Sequence, residues 1–260
     1  MVRLYKILRE GKAIFLAYDH GLEHGPSADF NLENCKPERI IEIAEKGGYS
    51  GVVLQPGIAE KYYGTIKKVP LIIKLNGRTS IAKTEPLSLQ HCSVKRALKL
   101  GADAVGYTIY VGSHHEGQMF KEFGNIVEEA HNSGIPVIGW MYPRGSSVVN
   151  EFSTDVIAHA ARAGLELGAD IVKVKYNRDV LGFKWVVANA GKARVVVAGG
   201  EPMPDREFLQ MTSEAMSAGA AGIAVGRNVW SHSNPLRITR AIKKIIFEGQ
   251  DVDRALKQLG

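Results

Sequence analysis

Two short stretches of the chain carry side chains able to do covalent chemistry. The first is Asp-Ile-Val-Lys-Val-Lys-Tyr at 170–176. Its apolar character reads as a strand, in which residues two apart share a face. Lys173 and Lys175 then point one way with Ile171, while Val172, Val174 and Tyr176 point the other. If packed helices cover the valines, both lysines face the interior. A buried ammonium is costly, and two close together push at least one toward the neutral amine. A neutral amine is the nucleophile that forms a Schiff base with a ketone. The alternative reading pairs each lysine with an interior acid such as Asp19.

The second stretch is Ala-Tyr-Asp-His-Gly-Leu-Glu-His-Gly-Pro at 17–26. His20, Glu23 and His24 have the spacing of the inverted zinc-peptidase signature. That chemistry needs both histidines on one helical turn, with a third ligand from elsewhere. Gly21, Gly25 and Pro26 are expected to break such a helix, and an apolar run leads straight into His20. We therefore expect no metal. Asp19, at the end of that run, is the better catalytic candidate, and His20 and His24 shape the pocket rim. His114 and His115 read as solvated loop residues.

These residues need elements to position them, and the apolar runs supply a regular series. Strands are predicted at 13–19, 51–56, 70–76, 103–110, 136–142, 170–176, 193–200 and 222–226. Near-continuous apolar strands bounded by Gly or Pro suit a buried parallel sheet. Helical patterns follow at 37–48, 93–102, 116–134, 154–169, 205–220 and 236–249. The segment 58–69 is too short for a clear helix. Eight strands alternating with helices over 260 residues predict an α/β fold, a (β/α)8 TIM barrel, as one domain over 1–260. An open doubly wound sheet would be expected to carry a Gly-x-Gly-x-x-Gly turn after its first strand. Asp19-His20-Gly21-Leu22-Glu23 does not match it.

In such a barrel, function gathers at the C-terminal ends of the strands. That end would collect Asp19, Lys74, Asn76, Tyr107, Tyr110, Trp140, Tyr142, Arg144, Lys173 and Lys175. The seventh strand ends in Gly199 and Gly200, and the eighth in Gly226 and Arg227. Loops after strands seven and eight commonly bind phosphate through backbone N–H groups. Glycine lets the backbone approach the oxygens, and Arg227 adds a bidentate donor.

Bulk composition narrows the partners. The chain is 45% hydrophobic and 23% charged, as expected for a globular protein with a sizeable core. The net charge of +6 is spread along the chain without a dense basic run, so nucleic acid is not expected. No stretch approaches the length of a membrane span. The two cysteines, Cys35 and Cys92, make no disulfide framework. With no signal-peptide core at the N-terminus, a cytoplasmic location is expected.

The stretches AYDHGLEHGP, KLNGRTS, GADAVGYTIYVGS, GWMYPRG, VKVKY, AGG and GIAVGRNVW fall in order at predicted strand ends. Together they resemble the archaeal-type class I fructose-bisphosphate aldolases, the DhnA-type aldolase family, from residue 10 to 247. The resemblance implies a Schiff-base aldolase that uses no metal and no cofactor. It makes Lys175 the imine-forming residue, with Lys173 a neighbouring positive charge. Tyr142 becomes the proton-transfer residue, Asp19 orients substrate hydroxyls, and Trp140 lines the pocket. Gly199, Gly200, Gly226 and Arg227 would hold one phosphate of a phosphorylated sugar, and Arg144 is a candidate for the second. One departure is Glu201-Pro202-Met203-Pro204 after Gly200, where some relatives carry a lysine. We expect cleavage of fructose 1,6-bisphosphate by a homo-oligomer. The family also includes transaldolases of the 2-amino-3,7-dideoxy-D-threo-hept-6-ulosonate synthase type and sugar-phosphate thiolases.

Overall fold

A computed structural model describes residues 2–26, 29–64 and 69–259. Its strands are β1 (Ala13–Ala17), β2 (Gly51–Leu54), β3 (Leu71–Lys74), β4 (Ala104–Val111), β5 (Val137–Pro143), β6 (Ile171–Val174), β7 (Arg194–Ala198) and β8 (Gly222–Val225). They form a closed barrel in sequence order, and β1 completes the ring against β8 through parallel pairs such as Phe15 with Ala224. All eight predicted strands are present, several of them shorter than expected.

The six predicted helices form at Pro37–Lys46, Val94–Lys99, Glu116–Asn132, Thr154–Glu166, Asp205–Ser217 and Pro235–Glu248. Ser93 caps its helix as expected, its Oγ accepting from Arg96 N at 3.1 Å. A helix at Val180–Asn189 was not anticipated. Its sequence is apolar nearly all round, with Leu181 and Trp185 exposed, so no 3.6-residue stripe stands out. Pro56–Ile58 and Ala59–Tyr63 form short helical turns where no helix was expected; 65–68 of that segment lies outside the described residues. Among the described residues, no helix is long and apolar enough to cross a membrane.

The strand alternation sorts side chains into two compartments. Val172, Val174, Val195 and Val197 join the layer between barrel and helices. Ala13, Phe15, Ala17, Ile72, Ala104, Ile138, Trp140, Ile171 and Val196 pack inside the barrel. Ile7, fully buried next to the 3-10 turn Leu4–Lys6, packs into the same interior cluster. The lower interior is thus dry and apolar. Continuing each strand by two residues carries the same inward parity to Asp19, Lys74, Tyr142 and Lys173.

Candidate active site

Trp140 organises the upper interior. It pairs in register with Lys173 on β6 and with Thr108 on β4. A Cβ on Gly106 would fall 2.0 Å from the indole, so only glycine on β4 leaves room for the ring. Trp140 is 2% exposed and its Nε1 is buried without a partner. Two ammonium-bearing chains approach this one ring: Lys173 Nζ lies 5.2 Å from the centroid and Lys74 Nζ 5.6 Å. Lys173 Nζ also stands 6.0 Å from the Tyr142 ring centroid.

Lys173 is 5% exposed. Burial pushes its amine down to about 8, helped by the Lys74 charge and opposed by Asp19 and Glu23. Asp19 experiences the converse. Burial alone would raise its carboxyl, but Lys173 and Lys74 outweigh that and hold it below the ordinary carboxylate range. Asp19 is therefore an anion facing two interior lysines.

The two lysines of the β6 motif part company, contrary to the expectation that both face the interior. The ladder of β6 stops at Val174. Lys175, one residue past it, leans outward over the Phe152 ring at 4.8 Å and ion-pairs with Glu151 Oε1 at 2.6 Å. Both partners come from the loop after β5. Parity holds only while the strand does, so period two carried Lys173 inward and released Lys175.

Tyr142 lies on β5 beside this group, and its phenol is pushed well above its ordinary value. Burial is the main cause, with Asp19 and Glu23 adding to it against Arg144. Desolvation and the carboxylates together outweigh Arg144, and Tyr142 keeps its proton at neutral pH. Arg144 pairs with Glu23 Oε1 at 3.0 Å and lies over the Tyr110 ring at 5.4 Å.

His20 to His24 form a short helix after β1, where the glycines were expected to prevent one. The two imidazoles do share its face, with centroids 6.1 Å apart. Glu23, the acid of the zinc-like spacing, is committed to Arg144. Among the described residues, no three His, Cys, Asp or Glu side chains come together as a metal cluster. His20 packs edge-on to Trp230 at 6.0 Å, and its Nδ1 is buried and unpartnered, 3.8 Å from Asp19 Oδ1. Burial, with Lys173, Arg227 and His24, pushes its imidazole down to about 4 against the pull of Asp19. His20 is neutral at pH 7.

The glycine loops lie against this corner. A Cβ on Gly226 would fall 2.6 Å from His20 Cε1 and one on Gly199 would fall 3.1 Å from Val225 Cα, so both backbones are closely approached. Arg227 Nη1 donates to Asp29 Oδ2 at 3.0 Å and Nη2 to Gly200 O at 3.4 Å, while Nε is buried and unpartnered. Part of its guanidinium is thus spent on Asp29, a partner 198 residues away that sequence reasoning missed. Asn228 was missed too. Its Nδ2 donates to Gly199 O and Glu201 O, and its Oδ1 accepts from Met203 N. An Asn directly after a Gly-Arg strand end was the available signal.

A lysine, a protonated phenol and a carboxylate around one apolar ring can perform amine–carbonyl chemistry. The model of the DeoC/LacD family aldolase matches residues 13–232, most of the chain. The chain belongs to the DeoC/LacD aldolase family. It is 48% identical over 251 residues to the class 1 fructose-bisphosphate aldolase of Thermoproteus tenax, covering 95% of this chain and 94% of that one. To the corresponding aldolase of Halobacterium salinarum it is 43% identical over 256 residues, covering 97% of each. Among solved structures, a Schiff base-forming fructose-1,6-bisphosphate aldolase matches with a TM-score of 0.90 at 47% identity, covering 94% of this chain and 98% of that one. An archaeal fructose-1,6-bisphosphate aldolase whose catalytic Lys is bound to a carbinolamine intermediate matches equally, with a TM-score of 0.90, 47% identity and coverage of 94% and 97%. This family chain therefore shares the barrel of enzymes that act through a covalent lysine intermediate.

Proposed function

We propose that the protein is a class I aldolase that cleaves fructose 1,6-bisphosphate reversibly, with Lys173 as the imine-forming residue. The observation that carries this is the buried Lys173 amine, pushed down to about 8 against Trp140 and beside Tyr142. The family resemblance implied Lys175 instead. Its direct ion pair with Glu151 ties it to the loop after β5, so we assign Lys175 to holding that loop.

The free amine of Lys173 attacks the C2 ketone of the open-chain sugar to form a carbinolamine. Tyr142 gives its proton to the departing C2 hydroxyl, which leaves as water and creates the protonated imine. Asp19, held as an anion, accepts the proton of the C4 hydroxyl. The C3–C4 bond then breaks, glyceraldehyde 3-phosphate leaves, and the bonding electrons move into an enamine. Protonation at C3 and hydrolysis release dihydroxyacetone phosphate and restore the amine. Trp140 packs against the bound sugar and offers its unpartnered Nε1–H to a substrate oxygen. Gly199, Gly200, Gly226 and the free Nε of Arg227 hold one phosphate, with His20 as the neighbouring wall. Arg144 remains the candidate for the other phosphate. This chemistry draws on no metal or cofactor.

We further propose a homo-oligomer in the cytoplasm, made of one barrel domain spanning 1–260. Leu181 and Trp185 stand exposed one turn apart on the helix Val180–Asn189, which supports self-association. Light scattering of the native protein and of Trp185→Glu tests that part. The main test is borohydride reduction with fructose 1,6-bisphosphate followed by peptide mass spectrometry. It should mark Lys173; a mark on Lys175 alone would refute the assignment. Assays of cleavage against aldol transfer to aspartate semialdehyde decide the substrate.

A further inference from the structure

Lys74 has no part in the chemistry above, yet it is 5% exposed in the same interior. Its Nζ shares the Trp140 ring with Lys173. Among the described residues, no carboxylate lies within ion-pair distance of either amine. Such a lysine is expensive to keep unless it serves the site.

We propose that Lys74 is a positioning residue: it supplies the standing positive charge that answers Asp19, so that Lys173 is the first of the two amines to give up its proton. The inference relies on the Schiff-base reading given above. It starts from charge balance. Asp19 contributes one negative charge, and Glu23 is already matched by Arg144. With both lysines protonated, the dry interior would hold an uncompensated cation; with one, it is neutral.

Hydrogen bonding decides which lysine keeps the proton. Lys74 Nζ donates to the backbone oxygen of Asn76 at 3.2 Å. That carbonyl is held firmly, because the Asn76 side chain donates to Ser88 O and Thr108 O and accepts from Thr108 N, each at 2.8 Å. Burial pushes the Lys74 amine down as well, against the pull of Asp19 and Glu23, and the fixed carbonyl acceptor works with those carboxylates to favour its ammonium form. Among the described residues, Lys173 Nζ has no hydrogen-bond partner and meets only the aromatic faces of Trp140 and Tyr142. Lys74 therefore holds its proton more firmly than Lys173. The other ionisable groups facing the pair are Asp19 and Glu23, which favour protonation of both amines, together with Tyr142, His20 and His91. Tyr142 and His20 are neutral in the resting site, so Asp19 and Lys74 set the balance.

The test measures borohydride trapping with dihydroxyacetone phosphate across pH 5–10, read by mass spectrometry at Lys173. In Lys74→Met, Lys173 itself is left as the interior lysine facing Asp19. The acidic limb of trapping should move up by about one pH unit, roughly a tenfold loss at neutral pH that is recovered at high pH. Lys74→Arg keeps the cation and should keep the native limb. Adding Asp19→Asn to Lys74→Met should bring the limb back down. An unmoved limb in Lys74→Met, a loss of the same size at every pH, or a Lys74→Arg limb displaced like that of Met would overturn the proposal. Should Lys74→Met not fold, Asp19→Asn alone decides: its limb must fall below native. Native protein that traps no imine at Lys173 would bring down the Schiff-base reading first, and this inference with it.

Discussion

The lower and upper halves of the barrel interior are built from the same strands in the same register, yet they follow opposite rules. Below, Ala13, Phe15, Ile138, Ile171 and Val196 fill the space with apolar volume next to Ile7. Two residues further along the same strands stand Trp140 and Lys173, with Asp19 one inward step beyond Ala17. The lower half stabilises by burial. The upper half gives up some of that burial to hold one carboxylate and two amines where water is scarce. The dry floor tunes the upper charges, because the same loss of water that packs Ile171 pushes the Lys173 amine down to about 8.

The largest expected effect separates Lys173 from its motif neighbour. Lys173→Ala should lower kcat by roughly 10^4–10^6-fold, the scale of losing a covalent nucleophile. Lys175→Ala, which loses an ion pair to Glu151, should stay within about tenfold of native, since partly exposed pairs are worth little. Steady-state kinetics on both variants checks this, and equal losses would erase the distinction between the interior and the rim.

Tyr142→Phe comes next. It keeps the ring against Lys173 and removes the proton, so kcat should fall by roughly 10^2–10^4-fold. Near-native turnover would leave Tyr142 as a packing residue and hand proton transfer to Asp19.

The pH profile tests the dry-floor argument directly. In the proposed reaction Lys173 attacks only as the free amine, and its value of about 8 makes the protonated form the majority below that pH. The rate of imine formation should rise with pH and level off above about 8, falling about tenfold per unit on the acid side. A limb near 10.5, the ordinary lysine value, would mean that burial does not act on this amine.

Arg227→Ala should raise KM by roughly 10–100-fold, from the loss of a charge-assisted bond worth about 1.5–3 kcal/mol. Unchanged kinetics would move the phosphate site away from β7 and β8. The smallest effect on catalysis belongs to the floor. Ile7→Ala should cost about 2–5 kcal/mol of stability in thermal or denaturant unfolding, with kcat nearly native below the transition. A large drop in kcat for folded Ile7→Ala would show that the floor shapes the site itself.

Much of this was legible before any coordinates. Eight apolar runs punctuated by Gly and Pro imply a parallel barrel, because only buried parallel strands tolerate apolar residues on both faces. The rule that chemistry sits at strand ends made Asp19, Trp140, Tyr142 and the Gly-Arg turn after β8 candidates. The helix Val180–Asn189 escaped because its exposed face carries Leu181 and Trp185 and so lacks a polar stripe.

What the sequence by itself determined is the inward parity of Lys173, since alternation along a strand is a local property of extended backbone. Where that strand ends is not local. β6 stops at Val174 although β5 runs on to Pro143 and β7 to Ala198, and Lys175 is then taken by Glu151 from another loop. The same holds for Arg227 bound by Asp29, for Gly106 yielding its space to Trp140, and for His20 walled in by Trp230. The direction of the Tyr142 shift also belongs to the tertiary structure. Whether a phenol meets lysine cations or is desolvated beside carboxylates depends on which strands the closed barrel brings together, and a linear chain carries no record of those distances.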